Sequence, residues 1–379
     1  MRTVHLFVAA LAALAGLACR TDSRNDSRAA ARIIESGTAP DSLRAAVGFK
    51  VNLFARVAGA RVMAVGPDGA LYVSQTGQGQ IARLVDVSGD GVADSQTVAV
   101  RGLDAPHGLA WRGSWLYIAT TGAVVRVRIQ GGRATAAPEV LARYSSGGGH
   151  FTRSILFGAD SGMYISIGSS CNLCVETAPD RAAVMRYDLE GKGGRLYARG
   201  LRNAVGMALH PVTKEIWVSQ NERDNISPDH EDLPPEEINI LRDGGDYGWP
   251  YCHSDRVPNP EFHDQARCDR TIAPALQMQA HSAPLGMTFL TGATQFPSEM
   301  RGDLLLAFHG SWNRTTPTGA KVVRVRVAGN RPVSYEDFLW GFQRPDGSRW
   351  GRPTDVAVWK DGSVLVSEDL GGGIYRVSR

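Results

Sequence analysis

A histidine inside "GGGHFTRSILFGADSGMYISIGSS", residues 147–170, is the first feature with chemical promise. His150 follows Gly147, Gly148 and Gly149 and stands just ahead of a run of alternating apolar residues. An imidazole titrates near ~6.5, so a histidine in an open loop can take or give a proton close to neutrality. Glycines beside it let the backbone and a ligand come close. Arg61, the pair Arg202 and Asn203, and Arg352 stand at the matching place before three similar runs, and His309 follows another. Guanidinium groups at such positions can grip carboxylates in bidentate fashion. Any one of these residues is ordinarily a solvated loop side chain or a hydrogen bond between neighbouring elements. Their recurrence at equivalent positions is what carries weight.

Two further constellations can hold a metal or a crosslink. In "DVSGDGVAD", Asp86, Ser88, Asp90 and Asp94 have the one-three-five-nine spacing of a calcium loop with Gly91 at the turn, but Thr97 replaces the bidentate glutamate. A structural calcium ion and a tight polar hairpin turn are both open readings there. Beyond Cys19, four cysteines remain, Cys171, Cys174, Cys252 and Cys268. An even number in an exported chain implies two disulfides, and the sequence-local pairing Cys171–Cys174 and Cys252–Cys268 is the expected one. "CNLCV" lacks the histidine of a haem attachment site, and zinc is the remaining alternative for these thiols.

The elements that position these residues repeat along the chain. Residues 62–75, 107–120, 154–168, 205–220, 285–290 with 302–310, and 354–369 share one form: apolar alternation, a turn, and apolar alternation again. Alternation on both sides of a turn such as Pro-Asp-Gly reads as a β-hairpin. Six hairpins with almost no helical periodicity between them indicate an all-β, six-bladed β-propeller; a β-sandwich has no reason to repeat the unit six times. Residues 48–56, "GFKVNLFAR", are expected to supply the outer strand that closes the last blade against the first. The long intervals 169–204 and 221–284 are expected to be loops on one face. Polar residues at equivalent loop positions then converge on the axial channel.

Bulk properties bound the rest. Of 379 residues, 41 are basic and 38 acidic, so no polyanionic partner is implied and nucleic acid is not expected. The basic residues are nearly all arginine, which lowers the meaning of any single one. "MRTVHLFVAALAALAGLAC" has a basic start, a short apolar stretch and small residues ahead of Cys19, the pattern of an export signal of lipoprotein type, residues 1–19. Polar residues 20–46 suit a tether, and 47–379 the folded body. The expected location is periplasmic or cell-surface, with membrane contact through lipid at Cys19.

The motifs "LRNAVGMALHP", "PPEEIN" and "GGDYGWP" occur in that order, between "GGGHFTRSILFG" and "GRPTDVAVWKDGSVLVSEDLGGGIYRV". On these residues the chain resembles the pyrroloquinoline quinone (PQQ)-dependent soluble aldose dehydrogenases and their sorbosone and pyranose dehydrogenase relatives. The resemblance implies a PQQ- and calcium-dependent oxidoreductase that oxidises a sugar at its anomeric or aldehyde carbon, electrons leaving to a separate quinone or cytochrome. It implies that His150 is the catalytic base and that Arg202 faces the reactive quinone carbonyl, with Asn203 contacting the cofactor. PQQ is a tricarboxylate, and Arg61 and Arg352 are candidates to pair with it. His309 in "FHGSWNRT" stands where glucose-oxidising members carry a cofactor-binding lysine, with Trp312 and Arg314 beside it as a stacking face and a carboxylate partner. Thr354 replaces a second arginine. The cofactor's calcium would rest on Asn221, Glu222 and Arg223 of "QNERDN", partly through backbone carbonyls, in place of the Gly-Pro of the glucose-oxidising members. "HSAPLG", residues 281–286, is expected on the substrate side. The alternatives are a propeller that binds a sugar or other ligand without catalysis and a calcium-dependent lactonase.

Overall fold

The computed structural model describes residues 39–379. The expected export signal, Cys19 and residues 20–38 of the expected tether lie outside the described residues. Six sheets form, antiparallel except where Arg195–Arg199 pairs parallel with Gly245–Asp246, and led by the inner strands Ala60–Val65, Leu109–Arg112, Arg153–Phe157, Ala204–Leu209, Pro284–Phe289 and Pro353–Val358, here called blades 1 to 6. The expected hairpins are the two inner strands of each blade, as in Ala60–Val65 with Leu71–Gln75. The fold is a six-bladed β-propeller. Lys50–Arg56 pairs antiparallel with Gly373–Ser378, so the N-terminal strand completes blade 6 and ties the ring shut.

Alternation builds this ring because each sheet is covered on both faces. Leu71–Gln75 reads "LYVSQ", and every residue in it is buried. Successive side chains of a strand point to opposite faces. Leu71 and Val73 therefore meet Trp359 and Leu365 of blade 6, while Tyr72 meets Leu109, Leu116 and Ile118 of blade 2. The same division gives an apolar layer at each of the six junctions between blades.

Recurring polar residues seal the junctions. Ser219 and Ser367, at one place in the second strands of blades 4 and 6, each donate at 2.7 Å to the next blade's inner strand, at Leu285 O and Arg61 O. Ser166 of blade 3 donates to Ala204 O in the same way. The turn aspartates Asp68 and Asp160 pair at 2.7 Å with third-strand Arg83 and Arg186, and Asp361 pairs with Arg376 at 2.5 Å. Much of the arginine content is thus spent on blade architecture.

Two departures follow from packing. Residues 39–46 are part of the folded body: Leu43 is buried, and Arg44–Ala45 pairs with the outer strand Arg331–Trp340 of blade 5. The cause is apolar, since Ala39, Ala45, Ala46 and Phe49 cover the core around Phe296 and Phe338. Gly341, at φ +103°, makes room for this segment, because a Cβ there would collide with the Ser42 carbonyl. The intervals 169–204 and 221–284 are not loops throughout. They contain the outer strands Ala183–Tyr187 and Arg195–Arg199 of blade 3, and Glu236–Ile240 and Leu276–Met278 of blade 4. A blade needs four strands, and the repeat reveals only the inner two.

The inner strands enclose a channel. Its larger cavity, about 510 Å3, is lined by residues within those strands, among them Met63, Ile155, Met207, Met287 and Val356, with buried Asp355. Residues just ahead of the same strands gather around a second cavity.

Candidate active site in the channel mouth

This second cavity, about 180 Å3, brings together His150, Arg202, Asn203, Asn221, Glu222, His309, Trp312 and Arg352. Five loops of four blades deliver them, as expected from residues that precede or follow the strands of the hairpins. Gly168 permits the closest approach: a Cβ on it would lie 2.6 Å from Asn203 Oδ1 and 2.7 Å from His150 Cβ.

His150 Nδ1 lies 3.0 Å from Ser169 O and 2.9 Å from Ser169 Oγ. The Ser169 hydroxyl itself donates to Cys171 O at 2.6 Å. A carbonyl oxygen only accepts, so this network assigns the ring proton to Nδ1 and leaves the Nε2 lone pair for the cavity. Burial, reinforced by the charge of Arg202, pushes the His150 pKa down to about 4. The imidazole is a neutral base at physiological pH.

Arg202 is 5% exposed. Its Nε donates to Asn172 O at 3.1 Å and Nη2 to Asn172 Oδ1 at 2.9 Å, while Nη1 donates to Asn221 O at 3.2 Å and Glu222 O at 2.7 Å. Asp224 lies 3.4 Å from Nη2 and supplies the counter-charge. Every nitrogen of the guanidinium is held, so the cation is fixed in plane. The side chain of Asn203 is different: it is 8% exposed and has no hydrogen-bond partner among the described residues. Arg352 spends Nε on His309 O at 3.0 Å and Nη2 on Gly310 O at 2.9 Å, leaving Nη1 without a partner among the described residues.

His309 Nε2 donates to Asp369 Oδ1 at 3.0 Å, and Asp369 Oδ2 accepts from Arg61 Nη1 at 2.6 Å. Burial takes the His309 pKa down to about 4, against the pull of Asp369. Burial alone would raise Asp369; the hydrogen bond from His309 and the charge of Arg61 outweigh it and hold the carboxyl well below its usual range. Arg61 therefore stands one step behind the cavity, orienting His309 through Asp369 rather than facing a ligand. Arg314 is also turned away, donating to Glu231 O and pairing with Asp232 at 3.1 Å. Arg223 leaves the cavity altogether for Asn259 and Glu261, at 3.1 and 2.7 Å. In each case a carboxylate on a neighbouring loop captures the guanidinium. Trp312 is 72% exposed at the cavity rim, a bare indole face.

Three lining residues were not singled out from the sequence: Asp224, Glu236 and Asn313. Asp224 accepts from Asn313 Nδ2 at 3.0 Å and lies 3.6 Å from His281 Nδ1. Glu236 accepts the backbone N–H groups of Glu222 and Ala283 at 2.8 and 2.9 Å, and burial raises its pKa to about 8. Burial would lower His281, but the neighbouring carboxyl groups of Asp224 and Glu236 raise it. Asp224 is the next residue after the quoted Arg223 and Asn313 sits between Trp312 and Arg314, so both lay inside motifs already noticed. His281 and Ala283, from "HSAPLG", do line the cavity.

The disulfides are Cys171–Cys174 and Cys252–Cys268. In the 86–94 loop the carboxylates cap backbone: Asp86 accepts from Gly89 N at 2.6 Å and Gly91 N at 3.2 Å, Asp90 from Val92 N at 2.8 Å, and Asp94 from Val87 N at 2.6 Å and Ser88 N at 2.9 Å. Among the described residues, only Cys171, Cys174 and Glu176 form a group of three His, Cys, Asp or Glu with ligand atoms within 4.8 Å of one another. The oxygens of Asp86, Asp90 and Asp94 do not all lie within that distance of one another, and each caps the backbone of the turn.

The family described as TrAA12-like matches residues 43–379. The chain belongs to the TrAA12-like family. Its match starts within the segment that docks on blade 5. Among proteins similar to this TrAA12-like chain, an uncharacterized protein of Borreliella burgdorferi is 34% identical over 219 residues, 57% of this chain and 56% of that one. The PQQ-dependent pyranose dehydrogenase of Coprinopsis cinerea is 25% identical over 299 residues, 61% of this chain and 40% of that one. The chain thus spans about half the length of the curated relatives it matches. The holo PQQ domain of the Coprinopsis enzyme superposes with a TM-score of 0.77 at 22% identity, over 91% of this chain and 99% of that one. A calcium structure of a Trichoderma reesei enzyme of carbohydrate-active family AA12 gives 0.75 at 22% identity, over 91% and 98%. These likenesses establish the propeller fold.

Proposed function

We propose that this protein is a PQQ- and calcium-dependent sugar dehydrogenase of sorbosone or pyranose type, with His150 as general base. The observation that carries the reading is a neutral imidazole with Nε2 free, beside a fixed Arg202 cation and an unpartnered Asn203 amide in one small cavity. The residues fit PQQ. Its carboxylates would find Arg352 Nη1 and the Asn203 amide, and its flat rings would find the Trp312 indole. When bound, the quinone supplies the two-electron acceptor. His150 Nε2 then takes the proton of the sugar hydroxyl, and Arg202 sets positive potential where negative charge develops. Asp369 keeps His309 oriented at the opposite wall.

Calcium in this reading rests on the carbonyl oxygens of Asn221 and Glu222. Both would be hard donors of the right type, and each keeps a second lone pair beside the one that accepts from Arg202. The Arg223 side chain takes no part. The names of the Coprinopsis and Trichoderma relatives support PQQ and calcium respectively. A separate quinone or cytochrome as electron acceptor, export and a lipid anchor at Cys19 complete the proposal. Fractionation and mass measurement of the mature N-terminus test the anchor.

A lactonase is the second reading, because Asn221, Glu222, Asp224 and Glu236 line the same cavity. Their carboxylates do not converge as a group of three, which weighs against it. Lactone opening that needs calcium but no quinone would favour it. For the dehydrogenase, PQQ- and calcium-dependent dye reduction across a panel of aldoses, sorbosone and pyranoses is the test.

A further inference from the structure

The Cys171–Cys174 disulfide closes a four-residue loop, "CNLC", whose sulfurs play no part in the proposed reaction. Its other atoms reach both chemical groups of the site. Asn172, between the sulfurs, accepts from Arg202 twice, through O at 3.1 Å and Oδ1 at 2.9 Å. Asn172 is in turn tied to the loop that follows strand Ile216–Gln220: Oδ1 accepts from Asp224 N at 2.9 Å, and Nδ2 donates to Asp224 O at 3.0 Å. Trp249 Nε1 adds a donor to Asn172 O at 3.3 Å. On the other side, Cys171 O accepts from the Ser169 hydroxyl, which meets His150 Nδ1. Ser169 N donates to Arg202 O at 2.7 Å, joining the two arms. Glu176 closes the frame by accepting from Ser170 N at 2.5 Å and Ser170 Oγ at 2.8 Å.

We propose that the disulfide-closed loop Cys171–Cys174 is a positioning element of the site, holding Arg202 in plane through Asn172 and His150 in its Nδ1–H tautomer through Cys171 O and Ser169. The assignment rests on the reading of His150 and Arg202 as base and cation. A loop this short has few conformations once crosslinked, so the carbonyl of Cys171 and both oxygens of Asn172 are presented in fixed directions. Without the crosslink the backbone between residues 171 and 174 can rotate those acceptors away, and the guanidinium retains only Asn221, Glu222 and Asp224.

The test compares Cys171→Ser/Cys174→Ser and Asn172→Ala with wild type, using nitrogen NMR of the cofactor-free protein and calorimetric titration with PQQ and calcium. The cysteine variant is expected to lose the slowly exchanging Arg202 Nε–H and Nη2–H signals, Asn172→Ala the Nη2–H signal alone because the backbone carbonyl that accepts Nε–H remains, and both are expected to bind PQQ about 10-fold more weakly, the scale of one hydrogen bond to a charged group. Only the cysteine variant is expected to shift the His150 tautomer, because Asn172 does not touch Ser169. Asn172→Asp, which keeps Oδ1, should restore the Arg202 signal. Cys252→Ser/Cys268→Ser serves as a control that lowers melting temperature and leaves both signals in place. Wild-type Arg202 and His150 signals with unchanged PQQ affinity in both variants would overturn the proposal. If the cysteine variant does not fold, Asn172→Ala decides alone. Failure of the wild type to bind PQQ would sink the functional reading, while the NMR arm would still report on the loop.

Discussion

The two ends of the channel are built from the same six strands and have opposite characters. Inside the strands, Met63, Ile155, Met207, Met287 and Val356 surround a cavity of about 510 Å3. At the mouth, His150, Arg202, Asn203 and Arg352 just ahead of them and His309 just after a second strand surround one of about 180 Å3. The larger space is the less chemical one. Strand residues are committed to apolar layers between blades, whereas residues one to three positions earlier lie outside those layers and can be spent on chemistry. Asp355 is the exception at the apolar end, and it is absorbed by structure: Oδ2 accepts Met63 N at 2.8 Å across the blade 6 to blade 1 junction.

Substitutions should divide along the same line. The largest effect is expected from His150→Ala, a fall in kcat of about 10³-fold with PQQ uptake retained, measured by dye reduction and calorimetry. Turnover near the wild-type rate would remove His150 from the base role. Arg202→Met should cost about 10²-fold in kcat and also weaken PQQ binding, because one cation serves both. At the other end, Met287→Ala should lower stability by about 2 kcal/mol in denaturant melts while kcat per folded molecule stays constant. A matching loss of kcat there would blur the division.

Acidity should sharpen it further. His107, His150 and His309 have pKa values pushed down to about 3, 4 and 4, each chiefly by burial. Below ~6.5 the unfolded chain binds protons that the folded chain refuses, so these groups cost stability as pH falls from ~6.5 toward 4. Asp355 has the opposite sign. Burial raises it to about 7, so the folded chain keeps a proton the unfolded chain has lost, and stability declines as pH rises from ~3.9 through 7. The smallest predicted change is therefore Asp355→Asn, which should leave activity alone and raise the melting temperature at pH 8 relative to pH 5. An equal shift at both pH values would contradict the assignment of that proton.

The ring was legible in the sequence because alternation is a property of strands alone. The six inner hairpins and the closing strand at 50–56 all carry it. Segment 39–46 did not, since its docking depends on apolar surface contributed by Phe296 and Phe338, far along the chain. At the site, His150, Arg202, Asn203 and Arg352 could be placed because their position ahead of a strand determines where the backbone delivers them. Arg61, Arg223 and Arg314 went elsewhere because Asp369, Glu261 and the Glu231–Asp232 pair lie on other loops, and side-chain direction in a loop follows its partners. Asp224 and Asn172 were hidden for the complementary reason: each acts through Arg202, and only folding brings them to it.

Titration of the cofactor-free protein with PQQ, with and without calcium, bears most directly on the central claim that this channel mouth is a quinone site. Stoichiometric uptake that requires both Arg202 and calcium, followed by sugar-dependent dye reduction, is the predicted result. Absence of uptake under either condition would contradict it, and the cavity would belong to a ligand-binding propeller whose histidine and arginines serve another guest.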